Sequence, residues 1–159
     1  MKLEYNDKEH KYFINGSRVP GVTEVLGALG LYPAYNPAGA QYHLSLGSAV
    51  HRACELHDMG TLDESTVDPQ VRPFLDAYLK FKTEWGFTPT RIEEAIFHPK
   101  LGFAGRIDRE GMLGSGESGI VELKKGGLPP CTALQTSAHE LLVNEGFGLD
   151  GFQLGGRKV

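Results

Sequence analysis

Apolar and polar residues alternate in several short stretches of this chain, and each stretch predicts a β-strand. Residues 3–5 and 11–14 are two such stretches, and the Asn15-Gly16 pair that follows them is typical of a tight turn. Residues 91–97 show the same alternation later in the chain. The pattern therefore predicts two short strands near the beginning and a third strand before the last third of the sequence.

Helical spacing of apolar residues predicts four helices in the rest of the chain. The predicted helices are residues 23–29 with Thr23 as cap, 40–59 before Gly60, 68–85 opened by Asp68-Pro69, and 129–145 opened by Pro129-Pro130. Two apolar faces follow from the spacing: Phe74, Tyr78, Phe81 and Trp85 on the third helix, and Leu134, Ala138 and Leu141 on the last.

The order of these elements predicts a mixed α/β fold. A chain of 159 residues without an internal repeat or linker predicts one domain, residues 1–159. The glycine-rich residues 147–159 predict either an edge strand or a frayed tail.

Two strand-like segments, residues 102–109 and 119–124, flank a stretch rich in glycine and serine, which predicts a β-hairpin. Because side chains alternate across a strand, Glu122 and Lys124 are expected on the same face, roughly 6–7 Å apart along the backbone. The partner strand can bring Asp108 beside them. The hairpin therefore predicts two carboxylates and an ammonium close together.

Such a group of charges suits a hard divalent cation, because Mg²⁺ is typically held by one or two carboxylates. A bound ion lowers the pKa of its water and neutralises charge that develops on a phosphodiester, and a lysine beside it can stabilise the anionic transition state. Leu123, between the two polar residues, is expected to point to the opposite face and anchor the strand in the core. The alternative interpretation is a ladder of surface ion pairs on an exposed strand face.

These residues also carry a family resemblance. The pattern Gly-x-Ile-Asp108 followed by Ile-Val-Glu122-Leu-Lys124 resembles the PD-(D/E)XK nuclease superfamily, and most closely its branch of RecB nuclease domains and bacteriophage exonucleases. Gly47-Ser-Ala-Val-His51 is similar to the first motif of that branch, and Gln135-Thr-Ser-Ala-His139 is similar in part to its last. The resemblance covers about residues 10 to 140. The chain departs from the pattern at three positions: Ile107 for proline, Lys125 for threonine and His139 for tyrosine.

The resemblance implies a restriction-endonuclease-like core, in which a central mixed β-sheet is flanked by helices. It implies a Mg²⁺- or Mn²⁺-dependent deoxyribonuclease that hydrolyses phosphodiester bonds, as an exonuclease on DNA ends or single strands. The implied metal ligands are His51, Asp108, Glu122 and the Leu123 carbonyl. The implied catalytic residues are Asp108, Glu122, Lys124 and Gln135, with Gln135 orienting Lys124 or the scissile phosphate.

Several of these residues also have simpler interpretations. His51 can be a core histidine bonded to backbone, although Gly47 one turn earlier leaves open space beside it for an ion or a phosphate. Gln135 can be a helix-edge residue that caps a loop carbonyl. Glu93 and Glu94 point to opposite faces of a strand, and the sequence does not choose which of the two acids supports the site. The remaining histidines with an assigned location, His43, His57 and His98, are expected at the surface.

Composition restricts the possibilities further. The net charge of −4 is not that of a protein that coats DNA. Basic residues of the second half are expected to give either a local positive field for phosphates or a solvated face of mixed charge: Lys100, Arg106, Arg109, Lys124, Lys125, Arg157 and Lys158. Two cysteines without metal-type spacing argue against an iron–sulfur nuclease and favour a reducing cytoplasm. No apolar run is long enough to predict a membrane span.

The sequence therefore predicts a DNA nuclease in the cytoplasm of a bacterium or a phage-infected cell. DNA is the expected partner, with room for a homo-oligomer or a recombination-protein partner, and no membrane partner is expected. Two alternatives stay open. One is a catalytically silent nuclease-fold module that binds nucleic acid or a partner protein. The other is an unrelated α+β enzyme with a carboxylate metal site for a small substrate.

Overall fold

The computed structural model describes residues 1–32 and 40–148. The strands in this part of the chain are β1 (Leu3–Asn6), β2 (Lys11–Ile14), β3 (Ser17–Val19), β4 (Thr88–His98), β5 (Phe103–Met112), β6 (Ser118–Val121) and β7 (Phe147–Gly148). The helices are α1 (Val22–Ala28), α2 (Ala40–Asp58), α3 (Arg72–Trp85) and α4 (Cys131–Glu145), with a short 3₁₀ turn at Glu64–Thr66. The predicted loop at 33–39 and the tail at 149–159 lie outside the described residues.

Helices and strands together confirm the mixed α/β class. The strands form a three-stranded sheet in the order β1-β2-β3 and a four-stranded sheet in the order β6-β5-β4-β7. Both sheets are antiparallel. Within the described residues, the parallel contact is an isolated bridge between Gly21 and Ala104. None of the helices at residues 1–32 and 40–148 has an apolar stretch long enough to cross a membrane.

The described residues group into two compact units. The first unit comprises residues 1–32, 93–107 and 129–148, and the second comprises residues 40–92 and 108–128, so β4 and β5 contribute to both. Each unit has a core of its own. The first core contains Leu3, Tyr12, Ala95, Phe97 and Ala104, and the second contains Val50, Ala53, Cys54, Val71, Leu75 and Tyr78.

Two predicted helix starts are wrong, and local hydrogen bonds explain both. The first helix is capped by Gly21 instead of Thr23, because the Glu24 carboxylate accepts the Gly21 N–H at 3.1 Å. The third helix begins at Arg72, four residues after Asp68. Asp68 instead holds a turn before the helix, since its carboxylate accepts the Gln70 N–H at 2.7 Å.

The last helix buries a different face from the one that its apolar line predicts. Leu134 and Leu141 are 44% and 43% exposed, whereas Gln135 and His139 are 8% and 2% exposed. The buried face of α4 meets β5 at Gly105, where an added Cβ atom would lie 2.7 Å from Leu142 and 3.1 Å from His139. Because Gly105 has no side chain, α4 can approach β5 closely with Gln135 and His139 on its buried face. Leu134 and Leu141 then face outward.

The predicted burial of two further residues is also wrong. Trp85, expected in the aromatic core stripe, is 60% exposed because it is the last residue of α3, while Tyr78 is buried as predicted. His98, expected at the surface, is 2% exposed and packs with its ring 5.7 Å from the Phe103 ring.

Candidate functional site

Asp108 lies in β5 and reaches the segment that follows β6. The hairpin pairs Arg109 with Val121, where β6 ends, so the predicted strand is three residues too long at this end. The Asp108 carboxylate nevertheless bridges to the next segment, because its Oδ2 accepts the Leu123 N–H at 2.6 Å. The predicted hairpin is confirmed, and it brings Asp108 beside residues 122–124.

Glu122 and Lys124 project to the same side of this segment, as predicted. The Lys124 Nζ lies 2.7 Å from the Glu122 Oε1. The Glu122 side chain is 6% exposed and the Lys124 side chain is 26% exposed, so water reaches the ammonium more readily than the carboxylate. Leu123 packs against the core of the second unit, which confirms its predicted anchoring role.

His51 faces the other oxygen of the same aspartate. Its Nδ1 lies 3.6 Å from the Asp108 Oδ1, which is too long for a hydrogen bond. The His51 side chain is 31% exposed and lies against a carboxylate, which does not fit a histidine enclosed in the core. One turn earlier, no described atom outside the neighbouring residues and the backbone of the same helix lies within 4 Å of where a Gly47 side chain would begin. The predicted open space beside His51 is therefore present.

The two ligand atoms are close enough for both to contact one divalent cation. In an octahedral shell with ligands at about 2.1 Å, neighbouring ligands are about 3.0 Å apart and opposite ligands about 4.2 Å apart. The Asp108–His51 distance of 3.6 Å is below the larger value, so both atoms can reach one ion, but they must move closer to occupy neighbouring octahedral positions. A carboxylate with an imidazole suits Mg²⁺ and, because of the nitrogen, suits Mn²⁺ better. Ligation by Glu122 and by the Leu123 carbonyl stays a prediction.

A second charged group surrounds Asp58, which the sequence did not single out. The Asp58 carboxylate accepts from the Arg109 Nε at 2.7 Å, the Lys82 Nζ at 2.6 Å and the Tyr78 hydroxyl at 2.9 Å. The side chains of Asp58 and Arg109 are both fully buried. Burial, followed by the Asp58 charge, raises the pKa of the Tyr78 hydroxyl, which keeps Tyr78 protonated as a donor.

Arg109 is therefore an internal residue and not one of the expected phosphate contacts. Its Nη1 also donates to the carbonyl of Asp108 at 2.6 Å. Strand alternation could have predicted this burial, because it places Arg109 on the face opposite Asp108. The same arginine that pairs with Asp58 thus holds the backbone that carries the candidate metal ligand.

Gln135, the remaining predicted catalytic residue, lies on α4 in the first unit and is buried. His139 lies one turn later on the same buried face. Both side chains are enclosed, at 8% and 2% exposure.

The two acids in β4 differ in their backbone. Glu93 has a φ of +50°, a left-handed conformation that is uncommon for a residue other than glycine. Its side chain is 8% exposed, and its carbonyl accepts from the Arg106 Nε at 3.0 Å. Backbone strain of this kind clusters at functional sites, which favours Glu93 over Glu94 as the acid with a functional role.

Comparison with known proteins gives no relative: no protein-family model, curated protein or solved structure significantly matches this chain. The interpretation of the site therefore depends on the residues and distances given above.

Proposed function

We propose that this protein is a metal-dependent DNA nuclease that hydrolyses phosphodiester bonds. The observation that carries this proposal is the arrangement around Asp108. One oxygen of its carboxylate is held by the Leu123 N–H, the other faces the His51 ring, and the Glu122–Lys124 pair follows directly in the chain. The resemblance to PD-(D/E)XK nucleases supports the same proposal, because all of these residues occupy its motifs.

The cation in this proposal is Mg²⁺ or Mn²⁺, held by Asp108 and His51 together with Glu122 and the Leu123 carbonyl. When bound, such an ion acts as a Lewis acid that lowers the pKa of water and neutralises charge developing on phosphate. The Leu123 N–H holds the Asp108 carboxylate in one orientation.

Lys124 supplies a positive charge to the proposed site. Its ammonium has three donors, and one of them is directed to Glu122. Because the Lys124 side chain is partly exposed, its ammonium can reach a water molecule or a phosphate oxygen. The proposed role is to orient the attacking water and to stabilise negative charge in the transition state. A role for Gln135 in orienting Lys124 or the phosphate is proposed on the resemblance alone.

The proposed substrate is DNA at its ends or in single strands. Sequence-specific cleavage needs an element that enters a groove with several side chains on base edges. The sheet and the helices that carry His51 and Gln135 account for most of the chain, which leaves little for such an element. The net charge of −4 also fits an enzyme that binds DNA locally and releases it. A cytoplasmic location and a homo-oligomer or recombination-protein partner belong to the same proposal.

The test is incubation of the protein with linear, covalently closed circular and single-stranded DNA, each with Mg²⁺, Mn²⁺ or EDTA. Linear and single-stranded DNA should be degraded to mononucleotides or short oligonucleotides with either metal, while closed circles survive much longer and EDTA stops the reaction. The matched control is Asp108→Asn, purified in the same way, which should be inactive.

Three results would contradict parts of the proposal. Equal cleavage by the Asp108→Asn variant would assign the activity to a contaminant. DNA binding without cleavage would favour the silent nuclease-fold module. Discrete internal fragments at one recurring sequence would indicate an endonuclease of the restriction type.

A further inference from the structure

A second polar contact lies on the same side of α2 as His51. His43 precedes His51 by two helical turns, with Gly47 midway between them. The Lys125 Nζ lies 2.7 Å from the His43 Nδ1. At about 1.5 Å of rise per residue, the two histidines are about 12 Å apart along the helix axis. His51 therefore faces Asp108 of β5, whereas His43 contacts Lys125 in the segment that follows β6.

The chemistry of this contact fixes which groups face outward. A lysine ammonium can only donate, so the His43 Nδ1 accepts and the ring proton is on Nε2. The remaining ammonium hydrogens of Lys125 can donate to a ligand, while the imidazole N–H on Nε2 points away from the lysine, so the role of His43 is to hold the ammonium in place. A positively charged donor that a neighbouring ring holds in place matches the oxygen atoms of a phosphate.

We infer that His43 and Lys125 form a subsite for a backbone phosphodiester of the substrate strand, several nucleotides from the bond that is cut. The strand would run along α2 from His51 past Gly47 to His43. The open space at Gly47 supplies clearance on this path, since no described atom outside the neighbouring residues and the backbone of α2 lies within 4 Å of its missing side chain. At about 3.4 Å per nucleotide of one strand, the 12 Å separation corresponds to at most about four nucleotides.

This inference rests on the proposed function, and it adds a reason for the departure of Lys125 from the nuclease pattern. Lys124 and Lys125 are neighbours in the chain, but their partners differ. The first pairs with Glu122, while the second contacts His43. The subsite therefore binds substrate without taking part in the chemical step.

The first experiment measures binding of a fluorescein-labelled thymidine oligonucleotide in EDTA over a range of KCl concentrations. Lys125→Gln should weaken binding about three- to tenfold at low salt and reduce the slope of log K against log [KCl] by about 0.7, the value for one phosphate of a single strand. Lys125→Arg should restore both. The control Lys80→Gln changes an exposed lysine of α3 and should bind like the wild-type protein.

The second experiment locates the phosphate. A single uncharged methylphosphonate is moved along the oligonucleotide, and KM and kcat for cleavage are measured with Mn²⁺. In the wild-type protein one position within about four nucleotides of the cut should raise KM with little change in kcat. The Lys125→Gln variant should show no such penalty at that position.

The results separate this inference from the proposed function. If the wild-type protein cuts DNA and Lys125→Gln keeps the wild-type salt slope, the subsite is wrong and the nuclease proposal stands. The subsite is also wrong if the effect of Lys125 requires a terminal phosphate. If the wild-type protein neither binds nor cuts DNA, both are wrong. Equal thermal unfolding of the variants and the wild-type protein shows that lost binding is not lost folding.

Discussion

Two carboxylate–cation pairs of the second unit differ in how much water reaches them. In the Asp58–Arg109 pair both side chains are fully buried, and the N–O distance is 2.7 Å. The Glu122–Lys124 pair has the same distance, but the lysine is 26% exposed. Removing one charge from a buried pair leaves the other uncompensated, whereas an exposed ion can find water instead. Distance alone therefore does not separate a structural pair from a functional one.

The surroundings of the two pairs differ as well. Asp58 is shared by Arg109, Lys82 and the Tyr78 hydroxyl, so its carboxylate has donors on both oxygens. Glu122 and Lys124 instead lie in a segment that follows the end of β6. We expect changes at Asp58 to lower stability and changes at Lys124 to lower the reaction rate.

The largest expected effect is that of Asp58→Asn, which keeps the shape of the side chain but removes its charge. Arg109 and Lys82 would then lack the carboxylate that they share, and the free energy of unfolding should fall by about 3–5 kcal/mol. Urea denaturation measures this change. The control is Glu4→Gln, which neutralises an exposed pair with Lys2 and should leave the urea midpoint unchanged. A variant of Asp58 as stable as the wild-type protein would remove the distinction between the two pairs.

Next in size is the effect of Lys124→Ala on cleavage. The rate should fall on the order of 10² or more, which is typical for the loss of one positioned electrostatic or proton-handling group. Mn²⁺ binding, measured by calorimetry, and the urea midpoint should stay close to the wild-type values. Lys80→Ala on α3 serves as the exposed lysine control. Near-normal cleavage would exclude the proposed role, and an unfolded variant would assign Lys124 to the structural class with Asp58.

A smaller effect is expected for Glu122→Gln, measured as Mn²⁺ affinity. The amide can still accept a hydrogen bond from Lys124, but it lacks the charge that attracts a cation. Affinity should fall about tenfold or more while the fold is kept. Glu117→Gln, in the turn between β5 and β6, is the matched control. Unchanged affinity would show that Glu122 orients Lys124 without holding the metal.

The local sequence predicted those elements whose side chains interact mainly within one stretch of chain. The bounds of β2 and the end of α4 at Glu145 agree with their predictions. The turn between β5 and β6 was visible because glycines and serines separate two apolar stretches. For the site, the sequence predicted that Asp108, Glu122 and Lys124 would lie near one another, because strand alternation and a hairpin suffice to bring them together.

Helix boundaries and helix faces were less predictable, because they depend on partners outside the helix. Asp68-Pro69 is a typical helix start. The Asp68 carboxylate nevertheless accepts the N–H of Gln70 and forms a separate turn before the helix. The apolar line of α4 predicted the wrong buried face, because Gly105 of β5 gives Leu142 and His139 a close approach. The residues of the helix alone do not predict either of these interactions.

By itself the sequence determined the mixed α/β class, the hairpin and the charged residues that it presents, since periodicity and turn chemistry act over a few residues. Only the tertiary structure decided that Arg109 is buried beside Asp58 instead of facing phosphates, and that Lys125 contacts His43. Fifty-one and eighty-two residues separate the members of these contacts. The environment of a charge depends on what the fold packs around it, and no local pattern in the chain encodes those distant neighbours.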